Sequence, residues 1–380
     1  MPRLPIESCS ATHCTLDGRS VLNFGGCNYL GFTEDPRIHA AAMRGMKTYG
    51  LSTTASRETT GNTFAHTSLE TELAAFFGME SAILTTEGYT ANMALCETLG
   101  QSRRFALIDE KAHRSVGHAA EAAGFKVLRY RHRDAVHAAE IAKPLAHCGG
   151  VVILTDGVFT ADGVIAPLPD LLAALPDQDS LLIVDDCHGF CVLGKSGRGT
   201  LNYYGLADPR LVITTTLAKG LGCYGGVIAG PAWLVNDIQN KARIYRGTTP
   251  CPPPMIEAAR AALAITLADP DLAVAVLTNA ARLRTWLVRA GAQLNDAPTP
   301  IIAFYYKSES DMDRISAELL ALNILAPVIE YPGGPANRYF RITVTARHTA
   351  EQIDTLGRAF LETSASRPEI TVVSASQLVA

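Results

Sequence analysis

LLIVDDCHGFC, residues 181–191, is followed at 211–222 by LVITTTLAKGLG. Each opens with an apolar run that is short, rich in β-branched residues and abruptly ended by polar side chains, which is how a buried strand reads. Five more runs along the chain have this form: SAILTT (81–86), RFALID (104–109), KVLRY (126–130), VVILTD (151–156) and GGVIAG (225–230). Helical patterns such as HTSLETELAAFFG and TANMALCETLG lie between them, the first closed by a glycine where a helix C-cap favours one. Strands alternating with helices predict an α/β fold with a largely parallel sheet.

After Gly230 the pattern changes to long Ala/Leu helices, interrupted by TTPCPPP (248–254), whose prolines oppose a regular element. From Met255 onward a helical run, the strands IIAFYY (301–306) and YFRITV (339–344) and a last helix, HTAEQIDTLGRAFLET, predict a small α+β domain. The expected organisation is an N-terminal arm joining the small domain (1–45), a large domain (46–254), the C-terminal small domain (255–365) and a tail (366–380).

With 380 residues, 48% of them hydrophobic and 18% charged, the chain can bury a sizeable core. A net charge of −4 and the absence of a Lys/Arg block argue against nucleic acid or an anionic membrane as partner; RYRHR (129–133) reads as a solvated strand end. The opening MPRLPIESCSATHC has no continuous apolar core, so neither a signal peptide nor a membrane span is expected there, and no later window is long enough. Nine scattered cysteines without a CxxC pair argue against a disulfide framework or a metal site and fit reduced, cytoplasmic thiols. Cys187 and Cys191, beside an apolar strand, read as small core residues.

Ligands of an open α/β sheet sit at the carboxyl ends of its strands, so the polar residues that follow the apolar runs carry the functional reading. One run ends in Asp185 and Asp186 with His188 beyond, another in Thr216 with Lys219 beyond, and a third in Asp109 with His113 beyond. A lysine buried beside a strand end is costly unless it is used, and forming a Schiff base with a carbonyl cofactor uses it. Pyridoxal 5'-phosphate (PLP) needs such a lysine, for which Lys219 is the candidate, and an acid to keep its pyridine nitrogen protonated, for which Asp185 is placed. It also needs a donor at its phenolate oxygen, a flat group over the ring and backbone N–H groups at a helix start for its phosphate. His188, His113 and the Gly88–Tyr89 start of EGYTAN fill those roles.

GFCVLGKS (189–196) formally matches the phosphate-loop pattern of nucleotide hydrolases. That motif must open a helix at its lysine, whereas SGRGTLNYYG follows here, with Gly197 and Gly199 opposing one, so the match is set aside.

At these residues the chain resembles the α-oxoamine synthase family of PLP enzymes, from about Asn23 to about Leu361. The matching stretches are NFGGCNYLGF, EGYTAN, IDEKAHRS, TDGVFTADGVIAPLPDL, VDDCHGFCVLGKSGRGT, TTTLAKGLGCYGG and YFRITVTARHT. The resemblance implies a fold-type I PLP transferase whose large domain holds the cofactor. It implies Lys219 as Schiff-base lysine and proton shuttle, Asp185 at the pyridinium, His188 and Thr160 at the phenolate oxygen, and His113 on the ring face. Thr216, Gly88 and Tyr89 would hold the phosphate, with Thr249 reaching over from a second subunit of a homodimer whose active sites lie at the interface. Arg341 would bind the amino-acid carboxylate and Asn28 would line the substrate side. The implied reaction joins a small amino acid to an acyl thioester, of coenzyme A or a carrier protein, usually with loss of CO₂. Two stretches depart from the family pattern: GLSTTASRETTGN (50–62), crowded with Thr and Ser, and Asn337, where the family often has Thr. The pattern also begins after only about twenty residues, on the side expected to contribute to the acyl donor. Aldol cleavage or decarboxylation on the same scaffold, and a PLP-binding protein without turnover, are the alternatives.

Overall fold

All seven apolar runs become strands of one sheet, each ending within a residue of its expected position. A computed structural model of the chain describes residues 5–306, 308–365 and 372–373. In chain order the strands are β1 (Ser81–Thr85), β2 (Phe105–Asp109), β3 (Lys126–Tyr130), β4 (Val151–Asp156), β5 (Leu181–Asp185), β6 (Leu211–Thr216) and β7 (Gly226–Gly230). In space they run β1-β7-β6-β5-β4-β2-β3; β7 is antiparallel to both neighbours and every other pair is parallel. Strands β4 to β7 are buried along their whole length, which is why their sequences are continuously apolar rather than alternating. Ile108, Leu154, Ile183, Val212 and Ile228 from the strands join Leu95, Val116 and Leu234 from the helices in one core cluster.

Helix α1 covers Pro36–Tyr49, α2 Phe64–Phe77, α3 Gly88–Leu99, α4 Arg114–Ala122 and α5 Pro253–Ala268. The glycine expected to close α2 is Gly78, which adopts the left-handed conformation (φ 69°) that glycine enters without steric cost. At the carboxyl edge of the sheet Asp109, Asp156, Asp185 and Thr216 end neighbouring strands, with Asp156 paired across to Asp185 and Asp185 to Thr214.

The chain divides into two compact units, one of Asp35–Phe159 and Ile165–Asp269, the other of Met1–Glu34, Thr160–Val164 and Pro270–Ala380. The boundaries therefore fall at 34/35 and 269/270 instead of the expected 45/46 and 254/255. The reason is helix pairing: α1 runs against α5 so closely that a Cβ on Gly45 would lie 3.0 Å from Pro254 Cα and 3.1 Å from the Glu257 side chain. The prolines of TTPCPPP do not break structure at 253–254 but start α5, where a missing N–H costs nothing and the fixed φ suits a helix.

In the smaller unit Val328–Ile329, Tyr339–Thr343, Ile301–Tyr306 and Val372–Val373 form an antiparallel sheet in that order. Phe304, Phe340 and Phe360 pack edge to face or stacked in its core, with Leu283 and Leu287 from helix Asp271–Arg289. Residues 24–29 run beside Tyr339–Thr343: Thr343 N donates to Phe24 O (2.8 Å), Thr343 Oγ1 to Gly26 O (2.9 Å) and Ala346 N to Tyr29 O (2.7 Å). Of the expected tail, 366–380, only Val372–Val373 lies within the described residues.

The phosphate-loop match is refuted by its backbone. Gly194 has φ 76°, Lys195–Gly197 is a single 3-10 turn, and no helix starts at the exposed Lys195. Among the described residues no single helix is long and apolar enough to cross a membrane.

Candidate active site

Adjacent aspartates at the end of β5 are divided by the pleat into two tasks. Asp186 points under the loop that follows and takes the N–H of Thr200 (2.8 Å) and the Thr200 hydroxyl, so its carboxylate is structural. Burial pushes its carboxyl up to about 7 against those two hydrogen bonds, with neighbouring Asp185 adding to the rise. Asp185, 6% exposed, accepts from Asn92 Nδ2 (2.9 Å) and from the N–H of Cys187 (3.2 Å).

Asn92, in the second turn of α3 and 1% exposed, joins four elements. Its Nδ2 hydrogens go to Asp185 Oδ2 and to Ser115 Oγ (2.9 Å), and its Oδ1 accepts from Thr214 Oγ1 (2.7 Å). Having accepted from Asn92, the Ser115 hydroxyl has its own proton left to give, and His113 Nδ1 lies 2.6 Å away. Nδ1 also receives the Ser115 N–H at 3.3 Å, so the ring proton is assigned to Nε2. Burial holds the His113 imidazole below its ordinary pKa, opposed by Asp185 and reinforced by Lys219. The chain Thr214–Asn92–Ser115 thereby fixes both a carboxylate and the tautomer of an imidazole.

His113 is also held through its backbone, whose N–H meets Asp156 Oδ1 at 2.9 Å. Asp156 is buried at the end of β4, and burial together with the Asp185 charge raises its carboxyl well above the carboxylate range, opposed by the hydrogen bond from His113 N. Asp109 holds the turn after β3 by accepting from Arg133 N (2.8 Å) and His132 Nδ1 (2.9 Å).

Lys219 lies in the loop from β6 to β7, closed by Leu217 N to Gly225 O (2.9 Å), Cys223 N to Leu217 O (3.0 Å) and Ala218 N to Thr216 Oγ1 (3.2 Å). Its Nζ is 2.9 Å from Nε2 of His188, which is 2% exposed. The loop has no slack: a Cβ on Gly220 would lie 2.5 Å from Cys191 Cβ.

Gly88 opens α3 facing Thr216, where an added Cβ would come within 3.0 Å of Thr216 Cβ. Sequence reasoning left the next N–H groups open for a phosphate; the structure gives them a partner. Tyr89 N donates to Glu87 Oε2 (2.8 Å) and Thr90 N to Glu87 Oε1 (2.7 Å), while Thr90 Oγ1 accepts from Glu87 N (3.1 Å). This reciprocal cap is legible as E-x-x-T at 87–90 and was overlooked. Thr249 lines a cavity of about 20 Å³ with Arg57, Thr86, Thr90, Tyr245 and Thr248.

The remaining expected residues belong to the smaller unit. Arg341 Nε donates to Thr160 O (2.7 Å), and its Nη2 is buried without a hydrogen-bond partner among the described residues. An orphaned guanidinium N–H is expensive unless a carboxylate completes it. Asn28 spends its side chain on its own turn, accepting from Phe32 N (3.0 Å) and donating to Thr33 Oγ1 (2.8 Å). Asn92, Ser115, Asp156 and Glu87 are the site residues that sequence reasoning missed. Asp156 obeys the strand-end rule that found Asp109 and Asp185, and Asn92 and Ser115 sit inside motifs read for their neighbours.

Residues 19–360 match the family model for aminotransferases of class I and II. The 8-amino-7-oxononanoate synthase of Thioalkalivibrio sulfidiphilus is 36% identical over 93% of this chain and 91% of its own. That of Methylococcus capsulatus is 35% identical over 94% and 92%. A serine palmitoyltransferase of S. paucimobilis, solved with a bound PLP–myriocin aldimine, superposes with a TM-score of 0.90 over 96% of this chain and 92% of its own, at 23% identity.

Proposed function

Because the chain belongs to the aminotransferase class I and II family and, within it, to the α-oxoamine synthases, we propose that it is a PLP-dependent C-acyltransferase. It condenses a small amino acid with an acyl thioester, of coenzyme A or a carrier protein, usually with loss of CO₂, to an α-amino ketone. The observation that carries this reading is the Lys219–His188 pair at the sheet edge that also holds Asp185, Asn92, Ser115 and His113 in one hydrogen-bonded chain.

The residues present fit the cofactor. Asp185 is a buried carboxylate aimed by two donors, Gly88 leaves space that a Cβ would fill, and Lys219 offers a primary amine beside a histidine. When bound, PLP draws electron density from the substrate's α-carbon through a protonated pyridine ring. Asp185 would keep the proton on that ring nitrogen, and Asn92 keeps Asp185 in place. Lys219 would hold the cofactor's aldehyde carbon through its amine and would carry the substrate's α-proton; His188, at 2.9 Å, is positioned to accept a hydrogen bond from that amine. His113 would cover the ring, its pKa held down by burial, His188 and Thr160 would serve the phenolate oxygen, and Thr216, Gly88 and Tyr89 would serve the phosphate. Arg341 would take the amino-acid carboxylate with the Nη2 that has no hydrogen-bond partner among the described residues, and Asn28 shapes its own turn in the same unit.

The protein works as a homodimer in the cytoplasm, Thr249 of each protomer completing its partner's phosphate site. Nine unpaired cysteines suit a reducing compartment.

The test begins with the absorbance of the purified protein. A visible band that reports cofactor joined to lysine, absent in Lys219→Ala, supports the cofactor roles; a colourless protein that PLP cannot reconstitute refutes them. Glycine, alanine and serine are then supplied singly with an acyl-CoA. Release of free CoA that needs both substrates supports the acyltransferase reading, and failure of every amino acid to consume thioester refutes it.

A further inference from the structure

We propose that Glu87 is an internal competitor for the cofactor's phosphate, an anion built into the chain that must release the first N–H groups of α3 before the phosphate can take them. The inference rests on the PLP reading above.

An N–H group carries one hydrogen, and the first turn of a helix has only a few that no backbone carbonyl uses. In this chain Tyr89 N and Thr90 N are both taken by the two oxygens of one carboxylate, at 2.8 and 2.7 Å. The cap is locked from the other side, since Thr90 Oγ1 accepts from Glu87 N and donates to Glu87 O (2.8 Å). Glu87 itself is extended (φ −163°, ψ 173°), and its carbonyl is pressed against Gly226, where a Cβ would come within 2.1 Å. The backbone at 87 therefore cannot shift to make room, and only the side chain can move.

The carboxylate also belongs to the site electrically, for it is among the charges felt by the His113 imidazole. A phosphate arriving at Gly88 and Tyr89 would meet a negative charge already satisfied by the same donors and the same helix end. The two anions exclude each other: either Glu87 caps α3 or the phosphate does. Glu87 satisfies the helix start until a phosphate takes its place, so binding exchanges one anion for another.

The experiment compares cofactor-free wild type with Glu87→Gln, which keeps the side-chain shape without the charge, and Glu87→Ser, which withdraws the competing carboxylate altogether. Dissociation constants for PLP and for pyridoxal, which lacks the phosphate, are measured by quenching of the intrinsic tryptophan fluorescence. Losing a charged cap and a like-charge contact favours the phosphate, so PLP is expected to bind both variants at least about tenfold more tightly. Pyridoxal is expected to bind all three proteins within about a factor of two, having no phosphate to compete. PLP affinity that is unchanged or weaker in both variants overturns the inference, and so does an equal gain for pyridoxal, which would place the effect at the ring. If PLP forms no adduct with Lys219 in any of the three proteins, the PLP reading itself falls; if it binds all three equally, only the role of Glu87 does.

Discussion

Replacing Asn92 by alanine removes the junction of the site while leaving every proposed cofactor contact in place. The structure allows the loss to be worked out bond by bond. Thr214 Oγ1 loses its acceptor, Ser115 Oγ loses a donor and Asp185 Oδ2 loses the amide N–H at 2.9 Å. Two neutral hydrogen bonds at about 1 kcal/mol each and one to a carboxylate at about 2 kcal/mol sum to roughly 4 kcal/mol, all in a buried setting where water cannot substitute. For a unit of this size that corresponds to a melting temperature lower by about 10 °C. The catalytic loss is narrower, because only the bond to Asp185 bears on the carboxylate proposed to face the pyridine nitrogen: kcat/KM should fall roughly ten- to hundredfold. Thermal unfolding monitored by circular dichroism gives the first quantity, and steady-state release of CoA the second. Ser115→Ala is the internal control, since it breaks the branch to His113 and leaves Asp185 held; it should lose stability with a smaller loss of rate. If Asn92→Ala melts within about 2 °C of wild type and turns over within a factor of two, the argument that this amide positions Asp185 is wrong.

Acid should destabilise the protein through His66 and His348, whose imidazoles are held down to about 4 chiefly by burial. Each folded-state value lies below the ordinary one, so their contribution is intact above about pH 6.5 and is lost as pH falls through 4; denaturant titrations at pH 7 and 4.5 should show His66→Asn, read against wild type, removing part of that loss. Asp186 has the opposite sign: its carboxyl is raised to about 7, so its contribution is complete below about pH 4 and is lost as pH rises through 7. Asp186→Asn should thus gain on wild type by about 2–4 kcal/mol between pH 4 and pH 8, and an offset that does not change with pH would contradict a carboxyl raised by burial. Arg341→Lys keeps the charge but gives up both the Nε bond to Thr160 O and the planar fork, so KM for the amino acid should rise roughly tenfold or more with kcat far less affected.

The sheet was legible because its central strands are buried on both faces, which writes an unbroken apolar run into each of them. The unit boundaries were not, because what assigns α1 to the larger unit is α5, some two hundred residues further on, and the clue to that pairing is a single glycine, Gly45, with no room for a side chain. A proline cluster looked like a break for the same reason. Proline is excluded from a helix interior and welcome at its first position, and the letters alone do not say which side of the boundary Pro253 occupies.

The site divides along a similar line. Residues at the ends of apolar runs stand out as polar letters, and that rule picks out Asp109, Asp185, Asp186 and Lys219; chemistry gives Asp185 and Lys219 their expected tasks but leaves Asp109 and Asp186 without one. Their partners separate them. Asp109 is consumed by the turn after β3, Asp156 holds the backbone of His113, Asp186 is tied to Thr200, and Asp185 alone of the four is held by a side-chain amide. Each of those partners lies on another element: Ser115 is 23 residues from Asn92, and Asp185 is 93. No period or spacing encodes such distances; they exist only once the sheet has brought β2, β4, β5 and β6 side by side. Glu87 is the exception that sharpens the rule, for its cap spans three residues and was readable from the start. The following Gly-Tyr offers its N–H groups to a ligand on paper, but in the chain the carboxylate just before them already accepts from Tyr89 N and Thr90 N.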